Sequence, residues 1–549
     1  MAQMIIDMTD LEFALFDQFR IDRLQEFEPF ADYNRKTIEM VVREARRLAV
    51  REILPTSKIG DTRGCRFENG NVLLPPEFKL VWELLSKGEW LVPEADPARG
   101  GQGMPRSVAL AARDYFNGAN MALTMIAGLS HGAAHVIETF GTALQKKLYL
   151  KKIISGEWAV SMQITESESG SDLGRINTLA EPGIDGTYRI SGAKVFITGG
   201  DHNLTDNIIH LVLARVKGAP EGSRGLSLFL VPGIHVDESG LLGRKNGLTC
   251  TGIEEKMGLH GSPTCSMALG SSGNCIGTLL GDENKGLAVM FSMMNDARLL
   301  VGSQGHACAS SAYLYALEYA KTRKQGALPG KAGARPDMES VAIIEHPDVK
   351  RMLLTMKCYT QGIRSILLYI ARCQDKARVI PEKRQEYQDL VDILIPVGKG
   401  YVTDRALEVC DMAIQVFGGY GYTSEYPVEQ IYRDARITTI YEGTNGIQSL
   451  DLVLRKLTLR NGRLFNALIR RMEQTIETAD CEPALSGIAM GFEILVADLK
   501  DTALRLSSMD DTIETDLEKR SVSAAFLHIT GDVVLGWMML WRAVAPSGS

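Results

Sequence analysis

The order of local sequence patterns along this chain of 549 residues limits its fold more than any single motif does. Segments such as TIEMVVREARRLAVREIL place apolar residues three and four positions apart, which is the period of an amphipathic helix. From residue 157 to 282 the pattern changes to short β-rich runs, such as GLSLFLVP, separated by Gly, Asn, Asp and Pro. Helical patterns then return. Because no helices alternate with the strands, we expect an antiparallel β-domain flanked by helical regions.

These patterns predict an α+β multidomain fold with four parts. We expect an N-terminal helical domain over residues 1–156, a middle β-domain over 157–282, a C-terminal helical bundle over 283–459 and an additional C-terminal helical domain over 460–549. A chain of this length can bury more than one core. Within the bundle, the run GALPGKAGARPDMES is rich in Gly, Pro and Ala, which predicts a loop.

Composition and missing motifs argue against several classes of protein. The net charge is −7, and acidic and basic residues are interleaved without the basic face that nucleic-acid binding needs. The nine cysteines are scattered, so we expect neither a disulfide framework nor a metal site. No apolar run reaches the roughly 18 residues of a membrane span, and the acidic N-terminal segment is unlike a targeting peptide. We therefore expect a cytoplasmic protein that binds neither membrane nor nucleic acid.

Nucleotide-binding motifs of the common kinds are missing too: the sequence has no GxGxxG after a strand and no P-loop. Five other segments occur in a fixed order: MQITESESGSD (Met162–Asp172), KVFITGG (Lys194–Gly200), YAKTRKQG (Tyr319–Gly326), QVFGGYGY (Gln415–Tyr422) and YRDARITTIYEGTNGIQ (Tyr432–Gln448). Matching segments follow one another in the same order in acyl-CoA dehydrogenases, and the chain resembles that family from about residue 75 to about residue 460. The C-terminal extension and an insertion at 326–345 resemble the larger members, including the methylmercaptopropionyl-CoA dehydrogenase-like branch.

The resemblance implies an FAD-dependent dehydrogenase that acts on an acyl-CoA thioester. It implies that FAD lies between the β-domain and the helical bundle and that a second subunit completes the cofactor site. The protein is then a homo-oligomer, either a dimer or a tetramer, and electron-transfer flavoprotein is the expected electron acceptor. Acyl chain length depends on the depth of an apolar pocket, which the sequence does not give.

Two of the matching segments correspond to the family's flavin-binding core. Small and hydroxyl residues after a β-run allow backbone N–H groups and the Thr165 hydroxyl to face the flavin, where donors stabilise developing negative charge. Phe196 and Thr198 are expected to cover the ring, although the family more often has Trp at the position of Phe196. Ser171 matches a serine that also lies near the CoA pyrophosphate. The predicted cofactor residues here are Met162, Ile164, Thr165, Gly170, Ser171, Phe196 and Thr198.

A second group of residues is expected to bind the cofactor across a subunit boundary. Arg323 matches a family arginine that reaches the FAD pyrophosphate of the neighbouring subunit, where a planar guanidinium suits phosphate oxygens. Gln415, Gly418 and Gly419 match the complementary contact, with glycines that let the backbone approach the cofactor. The family typically reads Arg-Lys-x-Phe-Gly at this arginine, whereas this chain reads Arg-Lys-Gln-Gly and then enters the loop.

Glu442 is the predicted catalytic base. It lies in IYEGTNGIQ, where poorly hydrating neighbours are expected to raise the pKa of its carboxyl group. Family members use the matching glutamate to remove the α-proton, while its backbone N–H and a flavin ribityl hydroxyl hydrogen-bond the thioester carbonyl. Thr444 and Asn445 match flavin contacts at a helix N-terminus. The residues expected at the substrate are Ser171, Asn295, Arg298 and Gly443.

Two alternatives stay open at this point. An acyl-CoA oxidase has the same flavin and the same base but transfers its electrons to oxygen. A DNA-associated flavoprotein of the same fold needs a basic C-terminal patch, and after residue 460 this chain mixes acidic with basic residues.

Overall fold

The computed structural model describes residues 4–328, 340–510 and 512–545. These residues fall into two compact units. Unit 1 draws on Met1–Arg47, Pro105–Gly118 and Arg298–Ser549, and unit 2 draws on Leu48–Met104 and Ala119–Ala297. The four-part division by sequence pattern remains a prediction, and most of the insertion expected at 326–345 lies outside the described residues.

Helices form where apolar residues recur with helical spacing, before and after the strands. Three of them, α2, α5 and α8, contribute residues to both units. In chain order the α-helices of the described residues are α1 (Met8–Glu12), α2 (Arg35–Leu48), α3 (Pro55–Arg63), α4 (Glu77–Lys87), α5 (Arg106–Phe140), α6 (Ala143–Gln145), α7 (Lys151–Ile154), α8 (Gly286–Thr322), α9 (Pro347–Val379), α10 (Arg384–Pro396), α11 (Val402–Phe417), α12 (Val428–Ala435), α13 (Asn445–Asp451), α14 (Arg463–Asp480), α15 (Ser486–Ser508) and α16 (Ile513–Val544).

The strands lie in unit 2, and eight of them form one sheet. Its order is β10-β11-β5-β12-β7-β6-β3, and β4 pairs with β5 and β6 beside this path. Two short ribbons, β1–β2 and β8–β9, complete the β-structure, and the first interrupts a region that the sequence pattern predicted to be helical. The strands are β1 (Arg66–Glu68), β2 (Asn71–Leu73), β3 (Ala159–Gln163), β4 (Leu179–Pro182), β5 (Thr187–Thr198), β6 (Ile208–Val216), β7 (Leu226–Pro232), β8 (Ile234–Val236), β9 (Leu242–Lys245), β10 (Leu248–Ile253), β11 (Thr264–Leu269) and β12 (Cys275–Leu279).

Most strand pairs in the large sheet are antiparallel, as predicted, but two are not. Strands β3 and β4 both run parallel to β6. The connection from β3 to β6 is long and contains β4 and β5, so the chain has room to return in its original direction. The centre of the sheet is apolar: Ile190, Val212, Phe229 and Val231 are buried in one cluster. This rigid sheet fixes the ends of β3 and β5, where the flavin-binding residues are predicted.

The C-terminal helix α16 packs into unit 1 through large side chains. Trp537 is buried, and its indole N–H donates to Thr475 Oγ1 at 2.8 Å. Arg542 forms an ion pair with Asp10, which also pairs with Arg364 at 2.9 Å. Among the described residues, α16 alone is long and apolar enough to cross a membrane, although 56% of its most apolar window is buried. The sequence analysis found no segment of this length and composition, so the absence of a membrane remains a prediction.

Candidate functional site

In unit 2, a bulge in strand β5 projects an aromatic side chain from the sheet. Opposite β11, Ile197 pairs with Cys265 and Lys194 pairs with Met267, so Val195 and Phe196 both face Ser266. This two-to-one register is a β-bulge, a feature common next to active sites. Phe196 has a φ of +59° and its side chain is 64% exposed. A bulky residue in the left-handed region is rare, and here it leaves the Phe196 side chain exposed, so the predicted flavin contact of this residue remains a prediction.

The segment that follows β3 lies beside this bulge. The Val195 N–H donates to the Thr165 carbonyl at 2.9 Å, which joins the two predicted flavin-binding segments directly. The side-chain hydroxyls of Thr165, Thr198 and Ser171 have no hydrogen-bond partner among the described residues. This part of unit 2 therefore offers hydroxyl donors and the exposed Phe196 ring to a ligand. Gly170 is exposed with no atom near its Cβ position, while Met162 and Ile164 are partly buried at the end of β3.

A buried ion pair that the sequence analysis missed holds this segment in place. Lys194 is fully buried, and its Nζ donates to the Ile164 carbonyl and to Glu166 Oε1, both at 2.9 Å. Glu166 also accepts from the Thr178 N–H and hydroxyl and from the Asn177 N–H. Burial lowers the pKa of Lys194 to about 8, although the Glu166 carboxylate opposes that shift. The available sequence signal was a lysine inside an apolar β-run, KVFIT.

In unit 1, Glu442 lies in the turn before α13 with a φ of +55°. Its carboxylate and its backbone N–H form no hydrogen bond with any other residue that the structure describes. Burial raises the pKa of Glu442 above its usual value, and the positive charges of Arg298 and Lys399 partly oppose this shift. A strained backbone of this kind is typical of functional turns. The result is a carboxylate suited to accept a proton, with an unused N–H donor beside it.

Arg298 is the predicted substrate residue that the structure does bring close to Glu442. It is buried on α8, its Nη1 lies 3.5 Å from Asp451 Oδ2, and its Nε has no hydrogen-bond partner among the described residues. Burial lowers the pKa of Arg298, whereas Asp451 and Glu442 raise it. The neighbouring Gly443 has a φ of +86°, which disfavours any other residue there. Asn295 lies partly exposed on α8 in unit 2.

The two residues after Gly443 serve local structure, which the sequence analysis did not foresee. Thr444 caps α13 by accepting the Ile447 N–H at 3.3 Å. The Asn445 side chain accepts from Lys399 Nζ at 2.8 Å and donates to the Gly400 carbonyl at 3.0 Å. Their side chains are therefore engaged inside unit 1, and their predicted contacts with the flavin remain predictions.

Arg323 lies at the end of α8 beside an exposed groove of about 450 Å³. Its guanidinium carbon is 5.8 Å from the centre of the Tyr420 ring, and it forms no ion pair with a described carboxylate. Gly418, with a φ of +61°, and Gly419 line the same groove and have open space at their Cβ positions. Gln415 is exposed near the end of α11. The groove thus combines an available cation with a bare backbone, which fits a phosphate-containing group.

The residues in each unit fit a flavin nucleotide. Unit 2 exposes the Phe196 side chain and hydroxyls that no described residue hydrogen-bonds, while unit 1 carries a carboxylate without a described hydrogen-bond partner and a groove suited to phosphate. All nine cysteines are free thiols, and no cluster of His, Cys, Asp and Glu among the described residues could hold a metal ion.

Comparison with known proteins identifies relatives along nearly the whole chain. Sequence models of three acyl-CoA dehydrogenase domains match it: the N-terminal domain over residues 35–157, the middle domain over 161–271 and the C-terminal domain over 284–457. The 3-methylmercaptopropionyl-CoA dehydrogenase of Ruegeria pomeroyi is 38% identical over 98% of this chain and 90% of its own. The broad-specificity linear acyl-CoA dehydrogenase FadE5 of Mycobacterium tuberculosis is 34% identical over 98% and 89%.

A solved structure supports the fold. The acyl-CoA dehydrogenase of Bacillus anthracis, complexed with FAD, superposes with a TM-score of 0.72 at 22% identity, covering 92% of this chain and 81% of that one. The family models end at residue 457, whereas both sequence relatives extend through the C-terminal helices.

Proposed function

This chain belongs to the acyl-CoA dehydrogenase family, and we propose that Glu442 is the base that removes the α-proton of its acyl-CoA substrate. Family membership makes the protein an FAD-dependent acyl-CoA dehydrogenase. One observation carries the assignment of the base: the Glu442 carboxylate, whose pKa is raised by burial, forms no hydrogen bond with a described residue.

The α-C–H bond of a thioester is weakly acidic, so the base acts together with an oxyanion donor. In our proposal the free backbone N–H of Glu442 donates to the thioester carbonyl while the carboxylate takes the proton. FAD supplies the acceptor for the β-hydride. Phe196, Thr165 and Thr198 hold the ring and limit the access of water to it. Arg298 keeps part of the Glu442 population ionised through its positive charge.

The substrate is proposed to be an unbranched acyl-CoA, because the names of the two sequence relatives specify linear acyl-CoA and 3-methylmercaptopropionyl-CoA. The test is an anaerobic titration of purified holoenzyme with linear acyl-CoAs of increasing length, 3-methylmercaptopropionyl-CoA and a branched acyl-CoA. We expect the flavin absorbance to bleach with at least one unbranched thioester. An oxidised spectrum with every thioester contradicts the proposal.

The fate of the electrons separates a dehydrogenase from an oxidase. We expect an enzyme reduced by its best acyl-CoA to reoxidise over minutes in air while product is bound, because a closed site excludes oxygen and water. Addition of electron-transfer flavoprotein or an artificial dye should reoxidise it rapidly. The measurement is flavin absorbance after mixing with air-saturated buffer, with a peroxide assay alongside. Prompt reoxidation with stoichiometric peroxide makes the protein an oxidase instead.

We also propose that the protein is a cytoplasmic homo-oligomer in which Arg323 binds the FAD pyrophosphate of a neighbouring subunit. Charge-assisted hydrogen bonds are worth about 1.5–3 kcal/mol, so Arg323→Ala is expected to weaken FAD binding about tenfold or more without unfolding the chain. Lys321→Ala, which removes an exposed cation from the same helix end, is the control for general charge. Affinity is measured by fluorescence as FAD is added back to apoprotein. Unchanged affinity in Arg323→Ala contradicts this contact.

A further inference from the structure

Lys399, a buried lysine near the proposed base, lies in an unusual backbone turn. Lys399 is fully buried within a single π-helical turn, Val397–Tyr401, that joins α10 to α11. Such turns are rare and often mark functional positions. Its Nζ donates to Asn445 Oδ1 at 2.8 Å and has no direct hydrogen bond to a carboxylate among the described residues. The lysine is thus tied to the start of α13, three residues after Glu442.

Asn445 extends this hydrogen-bond network beyond Lys399. Its amide nitrogen donates to Asp404 Oδ1 at 2.8 Å, to Thr403 Oγ1 at 3.0 Å and to the Gly400 carbonyl at 3.0 Å. Asp404 Oδ2 in turn lies 3.1 Å from His528 Nε2 on α16. A continuous chain of polar contacts therefore runs from Lys399 through Asn445, the first residue of α13, and Asp404 to His528 on the C-terminal helix.

We infer that Lys399 is a positioning residue for Glu442, fixing the catalytic turn through Asn445 and supplying the positive charge that keeps the carboxylate ionised. This inference rests on the proposed function of Glu442. Burying a cation that has no directly bonded carboxylate costs free energy. Holding the turn that carries Glu442 is a function that explains why Lys399 is buried there. It acts through Glu442 and is not itself expected to touch the substrate.

The charges around the pair agree with this role. The positive charges of Arg298 on α8 and of Lys399 on the π-helical turn both interact electrostatically with Glu442. The adjacent Tyr441 stays neutral because burial raises its pKa well above the usual value. Burial lowers the pKa of Lys399 to about 7, with Asp404 and Glu442 opposing that shift and Arg298 adding to it. Lys399 therefore carries its charge below about pH 7.

The test compares the pH dependence of anaerobic flavin reduction in Lys399→Met and Lys399→Gln. Loss of the positive charge raises the pKa of Glu442, so we expect the acid limb of both profiles to move upward by about one pH unit. Lys399→Gln retains a donor for Asn445, so its maximal rate should fall less than that of Lys399→Met. Lys376→Met is the matched control, since Lys376 is another lysine of unit 1 with a lowered pKa and no interaction with Glu442.

A third variant keeps the lysine, in case its replacement prevents folding. Asp404→Asn removes the carboxylate that supports the charge of Lys399, so the pKa of Lys399 falls further and the acid limb again moves upward, by a smaller step. Acid limbs that coincide with the wild type in all three variants overturn the inference. If Glu442→Gln itself reduces flavin normally, the proposed base is wrong, which is a separate failure.

Discussion

Glu442→Gln is expected to bind FAD as the parent enzyme does and to reduce it about 10²–10⁴-fold more slowly, the range that a general base contributes. The substitution is nearly isosteric and removes only the ability to accept a proton. Because Glu442 forms no hydrogen bond with a described residue, the change leaves no partner unsatisfied. Burial already disfavours the charged form, so the neutral amide should fit without loss of stability. Single-turnover stopped-flow measurement of flavin bleaching gives the rate.

The control for this variant is Glu477→Gln, which neutralises an exposed glutamate on α14. It should match the wild type in both FAD content and reduction rate. Near-normal bleaching in Glu442→Gln means that another group of the helical region is the base, and the raised pKa of Glu442 then has a purely structural origin.

The second large effect is expected on stability. Lys194→Met leaves the carboxylate of Glu166 buried without its cation, and breaking a buried ion pair in this way costs about 3–5 kcal/mol. The substitution also removes the hydrogen bond from Lys194 Nζ to the Ile164 carbonyl. That hydrogen bond holds the segment containing Thr165 in place. We therefore expect a lower free energy of unfolding in urea and faster loss of FAD from the folded protein.

Two further variants test whether the loss of stability comes from the buried ion pair. The exposed pair Lys217–Glu181 lies in the same unit, and Lys217→Met should destabilise the protein far less than Lys194→Met does, because surface pairs contribute little. Combining Lys194→Met with Glu166→Gln removes the uncompensated charge, so it should recover part of the stability. If Lys194→Met and Lys217→Met destabilise the protein equally, the buried pair does not anchor the flavin-binding segment.

The sequence determined the fold class and the family through local information. Amphipathic spacing predicted helices before and after the strands, and contiguous segments such as KVFITGG and IYEGTNGIQ carried the resemblance. Glu442 could be chosen because its motif is short, and both its chemistry and its flanking residues are visible in one stretch of chain. The sequence alone shows the residue types and the spacing within a few residues of a position, and these predictions depended on nothing more.

Long-range pairing was decided only in three dimensions. The parallel alignment of β3 with β6 depends on how a long connection returns, and the left-handed backbone at Phe196 depends on the bulge opposite β11. Lys194 and Glu166 stand far apart in the sequence, as do Lys399 and Asn445, yet each pair meets inside a core. Burial then sets their protonation, because desolvation depends on every neighbour that excludes water from a group. The tertiary structure therefore decided which charged residues hold the predicted site residues in place.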